Sequence, residues 1–162
     1  MQSRYRVDVF KDYLKFAAAH FIAYKGFREP LHGHNYQVSV RVEGGLGTDG
    51  YVLDFGVVKQ AAKRVCERLD ERVLLPADSD CLRIDRQGAQ LVVTYEDGAT
   101  FSFPESDVVL LPIAHSSAEE LARYVLGEVR AELPDLERRG VRVLEVGVAE
   151  APGQVAYCCQ EL

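Results

Sequence analysis

His32 and His34 flank a single glycine, and that spacing is the first feature of this 162-residue chain able to do chemistry. Side chains alternate along an extended chain, so both imidazoles point the same way. Gly33 adds no bulk between them. A third histidine, His20, lies upstream in another apolar stretch. Three neutral imidazoles that leave one position open are a common way to hold a catalytic zinc. Magnesium fits less well, because it prefers oxygen donors. Glu29, just ahead of His32, sets a carboxylate beside that centre. Any one histidine on an apolar face is usually a hydrogen-bonded core residue. Three of the chain's four histidines on such faces, two of them at i and i+2, argue for a shared ligand.

Glu150 is the second unusual residue. It continues the alternation of Leu144, Val146 and Val148. A buried carboxylate needs donors or costs several kcal/mol, and a ligand with paired N–H groups, such as an amino-pyrimidine edge, supplies two at once. The plainer reading is a strand end facing water. Asp70-Glu71 closes a helix and is either a solvated helix end or a proton-transfer pair, set against an unfavourable helix dipole. His115 is a loop residue, or a base if the fold brings it near the metal.

These groups need strands and two helices to position them. Residues 4–9 alternate as an amphipathic strand, and Phe16, Ala18, His20 and Ile22 share the face of a second extended stretch. Lys25-Gly26 and Pro30 mark a loop. His32, His34, Tyr36, Val38, Val40 and Val42 share the face of a third strand. Residues 43–50 turn the chain. Asp54 then caps a helix whose stripe is Phe55, Val58, Ala62, Val65 and Leu69. Residues 81–103 read as a hairpin, with a further short strand at Leu82-Arg83-Ile84. Ser116 or Ser117 caps a second helix with the stripe Leu121, Ala122, Val125, Val129 and Leu133, closed by Pro134. Two strands finish the chain, turned by Ala151-Pro152-Gly153-Gln154.

Composition bounds the function. One domain spanning residues 1–162 is expected, with 48% hydrophobic and 27% charged residues, the balance of a soluble globular protein. The formal charge of -6 argues against nucleic acid as a partner. No apolar run is long enough to span a bilayer and residues 1–10 lack a signal-peptide core, so no membrane partner and a cytoplasmic location are expected. The four cysteines form no CxxC pair and are expected to be reduced thiols.

Taken in order, His20, His32-Gly33-His34-Asn35-Tyr36, Asp54-Phe55-Gly56, Leu69-Asp70, Ser117-Ala118-Glu119-Glu120-Leu121-Ala122 and Glu150-Ala151-Pro152-Gly153 resemble the 6-pyruvoyltetrahydropterin synthase family. That family includes 6-carboxytetrahydropterin synthase of the deazapurine (queuosine) route. The resemblance covers nearly the whole chain except about residues 76–111, which read as a β-hairpin insertion. It implies an α+β tunnelling fold: an antiparallel sheet with two helices on one face, whose strands close a barrel between subunits of a homo-hexamer, a dimer of trimers. It also implies Zn2+ held by His20, His32 and His34, with Glu150 as the anchor for a pterin ring. Ser117 and Glu119 match the segment that helps hold that ring, and the substrate is a pterin triphosphate.

Departures from the family pattern decide the chemistry. The pyruvoyl and carboxy branches carry a cysteine base four or six residues before the first histidine of HGH; Arg28 and Gly26 stand there. Glu29 instead matches the ExxHGH pattern of a third branch. That branch resembles enzymes that cleave 7,8-dihydroneopterin triphosphate to 6-hydroxymethyl-7,8-dihydropterin for folate synthesis. The family's Leu-Asp-His is Leu69-Asp70-Glu71 here, so Glu71 or His115 would take the place of the proton-shuttling histidine beside Asp70. Three functions follow: a zinc lyase of the Glu29 branch, a pyruvoyl- or carboxy-tetrahydropterin synthase with an altered shuttle, and a pterin-binding protein without activity.

Overall fold

Residues 3–162 are described by a computed structural model. Apolar alternation builds one long strand, β1 (Tyr5–His20), in place of the two stretches expected. A small ladder follows, β2 (Ala23–Tyr24) with β3 (Phe27–Arg28), closed at Lys25-Gly26. β4 (His32–Gly44) then returns antiparallel to β1.

The inward residues of β1 change parity along its length. Val7 and Val9 lead, then Leu14, Phe16, Ala18 and His20. The change happens at a bulge: between the pairs Phe10–Ser39 and Lys15–Gln37, β1 advances by five residues and β4 by two. Gln37 pins the bulge, donating from Nε2 to the carbonyls of Lys11 (2.7 Å) and Leu14 (3.0 Å). An odd number of extra residues moves the following side chains to the other face. The bulge therefore turns His20 inward, toward β4's histidines.

Helix α1 (Phe55–Leu69) starts at Asp54, whose Oδ1 accepts the amides of Gly56 and Val57. Val58, Ala61, Ala62, Val65, Cys66 and Leu69 are buried beneath it. Phe55, expected on that stripe, is 56% exposed, because its turn overhangs the bulge beside Phe10 and Lys11. The chain continues through β5 (Arg72–Pro76), β6 (Leu82–Gln87), β7 (Gln90–Tyr95), β8 (Thr100–Pro104) and β9 (Val108–Leu111). Helix α2 (Ala118–Glu132), β10 (Val141–Ala151) and β11 (Gln154–Glu161) complete it.

The main sheet runs β11-β10-β4-β1-β5-β9. Its first four strands are antiparallel, as expected, while β5 and β9 add in parallel at one side. Both helices pack on one face of this sheet and close a core around Phe16, Tyr36, Val38, Val65, Leu121 and Leu144. Strands β6, β7 and β8 form a separate antiparallel sheet, the hairpin β7–β8 joined by β6, which begins at the short strand expected from Leu82-Arg83-Ile84. A second apolar cluster of Phe21, Ala23, Leu75, Val93 and Tyr95 joins it to the main body. Among the described residues no helix is long and apolar enough to cross a membrane.

Candidate metal centre and adjoining carboxylates

Strand pairing sets His20 opposite His32 and Ala18 opposite His34. The small Ala18 leaves room for the rings, and the nitrogens available as ligands all lie within 4.8 Å of one another. The strands run close here: a Cβ on Gly33 would come 3.0 Å from the Ala18 carbonyl oxygen.

The backbone fixes which nitrogen His20 and His32 offer. His20 Nδ1 lies 2.8 Å from the Ser116 carbonyl. A carbonyl only accepts, so Nδ1 carries the proton and Nε2 presents its lone pair. Ser116 is itself buried, and its Oγ donates to the Phe21 carbonyl at 3.0 Å. His32 Nδ1 donates in the same way to the Pro30 carbonyl at 2.8 Å. Nε2 of His20 is buried and has no partner among the described residues. Burial, reinforced by His32 and His34, lowers the His20 pKa against the opposing pull of the Ser116 carbonyl and Glu29. A buried neutral imidazole with an unused lone pair, beside two others, is a donor set that fits a divalent transition metal.

Glu29 reaches this centre through a closed pair of hydrogen bonds. Its Oε2 accepts the Ile22 amide at 2.9 Å, and its own amide donates to the Ile22 carbonyl at 2.9 Å. Ile22 lies two residues past His20, so the carboxylate is docked beside the triad. The small sheet props the loop that carries it. Glu96 Oε1 accepts the Gly26 amide at 2.6 Å. The Tyr95 hydroxyl lies 3.0 Å from the Tyr24 carbonyl and 2.9 Å from Glu96 Oε1. The Arg28 guanidinium sits over Phe101, 5.2 Å from the ring centroid, and donates to the Glu29 carbonyl. Replacing Glu96 with alanine is expected to speed amide hydrogen exchange across residues 24–29, on the order of 10-fold for one lost charge-assisted bond. Unchanged exchange would show that the Phe101 contacts alone hold the loop.

Glu150 follows Ala149, whose pairing with Gln37 is the last between β10 and β4. Its Oε1 is 4.0 Å from His20 Nε2, beyond hydrogen-bond reach. A hollow opens between it, His34, Asn35 and the Pro152-Gly153 turn. Tyr36 is fully buried, stacked on Phe16 at 4.8 Å and edge-on to His20 and His34. Its hydroxyl has no partner among the described residues. Burial first, then the Glu150 and Glu29 carboxylates, push the phenol's pKa far up, so it stays a donor.

His20, His32, His34, Glu29 and Glu150 thus converge within one chain. The remaining candidates make the following contacts within the chain. Asp70 Oδ1 accepts the Ala17 amide at 2.7 Å, and the Glu71 amide donates to the Ala17 carbonyl at 2.7 Å. Ala17 lies on the opposite alternation of β1 from His20. Glu71 sits at φ 56°, a left-handed conformation that costs a non-glycine residue about 1–2 kcal/mol; the two bonds to Ala17 hold it there. His115 Nδ1 donates to the Ala23 carbonyl at 3.1 Å. Ser117 caps α2 by accepting the Glu120 amide, and Glu119 is exposed in that helix's first turn. Three contributors went unanticipated. Tyr36 shares the histidines' alternation, which is a visible signal. Ser116 stands in a serine pair of which one member caps the helix. Glu96 left no signal, because its partner is distant in sequence.

Known proteins bear on this geometry. A family model described as 6-pyruvoyl tetrahydropterin synthase matches residues 10–161. A Methanocaldococcus jannaschii protein, provisionally named a 6-carboxy-5,6,7,8-tetrahydropterin synthase, is 33% identical over 144 residues, 88% of each chain. The 6-pyruvoyltetrahydropterin synthase of Plasmodium vivax superposes with a TM-score of 0.96 at 42% identity, covering 99% of this chain and 100% of that one. It has been solved with a glutamate, named as a catalytic residue, changed to alanine. The Plasmodium falciparum enzyme superposes equally, at 41% identity over the same shares of the two chains.

Proposed function

Because the chain belongs to the 6-pyruvoyl tetrahydropterin synthase family, we propose that it is a zinc-dependent lyase that converts 7,8-dihydroneopterin triphosphate to 6-hydroxymethyl-7,8-dihydropterin. The observation that carries this reading is the Glu29 carboxylate docked on the Ile22 amide beside the histidine triad. None of the chain's cysteines falls in the loop that carries it. The Plasmodium vivax relative, whose named catalytic residue is a glutamate, supports the assignment.

His20, His32 and His34 would hold Zn2+, which when bound polarises the substrate's side-chain hydroxyls as a Lewis acid. Glu150 accepts N–H donors from the amino-pyrimidine edge and so fixes the ring. Glu29 takes the proton from the C2′ hydroxyl. The O–H electron pair forms the C2′ carbonyl, and the C1′–C2′ bond breaks. Its electron pair passes through C6 to the ring's imine nitrogen. Glu29 returns the proton to C1′, giving the hydroxymethyl group and an aldehyde that carries the triphosphate.

A carboxy- or pyruvoyl-forming synthase is the second reading, favoured by the name of the Methanocaldococcus jannaschii relative. It requires His115 or Glu71 to replace the thiol and shuttle, and the His115 ring is bonded to the Ala23 carbonyl in this chain. We also propose the homo-hexamer. β11 and β9 end the sheet with open edges, and Phe10, Tyr13 and Tyr157 lie exposed. The test is to incubate zinc-loaded protein with 7,8-dihydroneopterin triphosphate and identify products by mass. Hydroxymethyl-dihydropterin is expected. A carboxy or pyruvoyl product would move the assignment to the second reading. Tight binding without product would mean an inactive pterin-binding protein.

A further inference from the structure

The β2–β3 ladder ends at Arg28, which pairs with Ala23. Glu29 lies one residue past that end, so contacts outside the ladder must place it. Two of them go to a single residue, Ile22: the Glu29 amide donates to its carbonyl and Glu29 Oε2 accepts its amide, each at 2.9 Å. Two bonds to one residue leave the loop free to tilt about it. The third comes from Arg28, whose Nη1 donates to the Glu29 carbonyl at 2.9 Å. The guanidinium is seated in turn over Phe101 of β8, and Phe101 stacks on Phe21 at 4.8 Å. Phe21 is buried directly after His20, and its carbonyl accepts from Ser116 Oγ. Contacts thus run from the neighbour of a metal ligand, through the second sheet, to the residue that carries the candidate base. Packing alone does not call for an arginine here. Its Nε is buried without a partner among the described residues, which costs free energy that an apolar side chain over Phe101 avoids. What an apolar side chain lacks is a planar fork that stacks on a ring and donates to a carbonyl at once.

We propose that Arg28 is a positioning residue: braced on Phe101, it fixes the backbone of Glu29 so that the carboxylate meets the substrate in one orientation. This rests on the reading of Glu29 as the base. Ile22 holds Oε2, which leaves Oε1 as the oxygen that Ile22 does not occupy. A base works from within hydrogen-bond reach of the proton it takes, and a misplacement of about 1 Å costs about 100-fold in rate. Arg28 touches no reacting atom in this role and acts through Glu29. The β6–β8 sheet thereby gains a function, as the abutment that sets the base against the metal centre.

Arg28→Met keeps a stem over Phe101 and removes the bond to Glu29. For cleavage of 7,8-dihydroneopterin triphosphate, kcat is expected to fall between about 10- and 100-fold. KM is expected to stay within about twofold, because the substrate's own contacts are intact. In the Glu29→Gln background the same change is expected to cost less than about twofold, since nothing is left to position. Equal losses in both backgrounds would overturn the proposal. So would a raised KM with kcat unchanged, by making Arg28 a contact for the anionic substrate. Arg28→Lys covers a methionine variant that fails to fold. It keeps the charge without the fork, and the same split with a smaller loss is expected; full activity would show that charge alone suffices and overturn the role. Amide exchange in the ligand-free protein tests the tether without turnover. The Ile22 amide is expected to exchange about 10-fold faster in Arg28→Met, and an unchanged rate would overturn the proposal. The lyase reading fails separately: if the unmodified protein yields another product or none while Ile22 exchange still rises, the tether stands and the base assignment falls.

Discussion

Changing Glu29 to glutamine is expected to lower kcat by about 10³-fold, within the range a positioned general base contributes, while metal content stays that of the unmodified protein. Glutamine keeps the shape of the side chain and a carbonyl oxygen. It can still accept the Ile22 amide that Glu29 Oε2 accepts at 2.9 Å, so the loop and its tether to Glu96 remain in place. The lost capacity is proton uptake. Glu29 is not among the clustered ligand residues, which is why metal analysis should read the same for both proteins. Single-turnover kinetics with 7,8-dihydroneopterin triphosphate measure the loss without interference from product release. Turnover at the unmodified rate would sink Glu29 as the base and direct attention to His115, one residue from the serine that holds His20.

Much of this centre is legible in the chain itself. Period-two alternation sets His32, His34 and Tyr36 on one face, and β4 follows it faithfully. The ends of α1 and α2 are written in Asp54 and Ser117, whose side chains accept the free amides of the first turn. The bulge in β1 is not legible, because Lys11, Asp12 and Tyr13 are exposed and read as a break between two strands. Its consequence, turning His20 to the correct side, depends on Gln37 reaching two carbonyls of the neighbouring strand. β5 and β9 escape for another reason. Val73, Leu74 and Leu75 lie within the body of the sheet and carry no alternation to read. The loop tether escapes because Gly26 and Glu96 lie 70 residues apart. Contacts between a side chain and a distant backbone group leave no trace in residue type. His20 shows both limits at once, its face readable after the bulge and its tautomer set by the Ser116 carbonyl.

That dependence leads to the second large effect. Replacing His20 with alanine is expected to leave a protein that loses its metal in dialysis against a chelator that the unmodified protein survives. His20 is the buried ligand, 1% exposed, and the only one contributed by β1. Without it the remaining imidazoles lie on a single strand, and two ligands do not make a structural or catalytic zinc site. Ser116→Ala is the graded counterpart. It keeps the carbonyl that accepts Nδ1 but releases the Oγ bond to Phe21, and outer-shell losses of this kind weaken metal binding about 10-fold. Acid offers an independent check. Metal binding requires unprotonated ligands, and burial holds the His20 pKa below that of an ordinary imidazole. His20 therefore stays available to metal at a pH where a solvent-exposed imidazole has begun to charge, and further acidification releases the ion. If His20→Ala retained one tightly held ion per chain, the triad would not be the metal site, and the role given to its neighbours would fall with it.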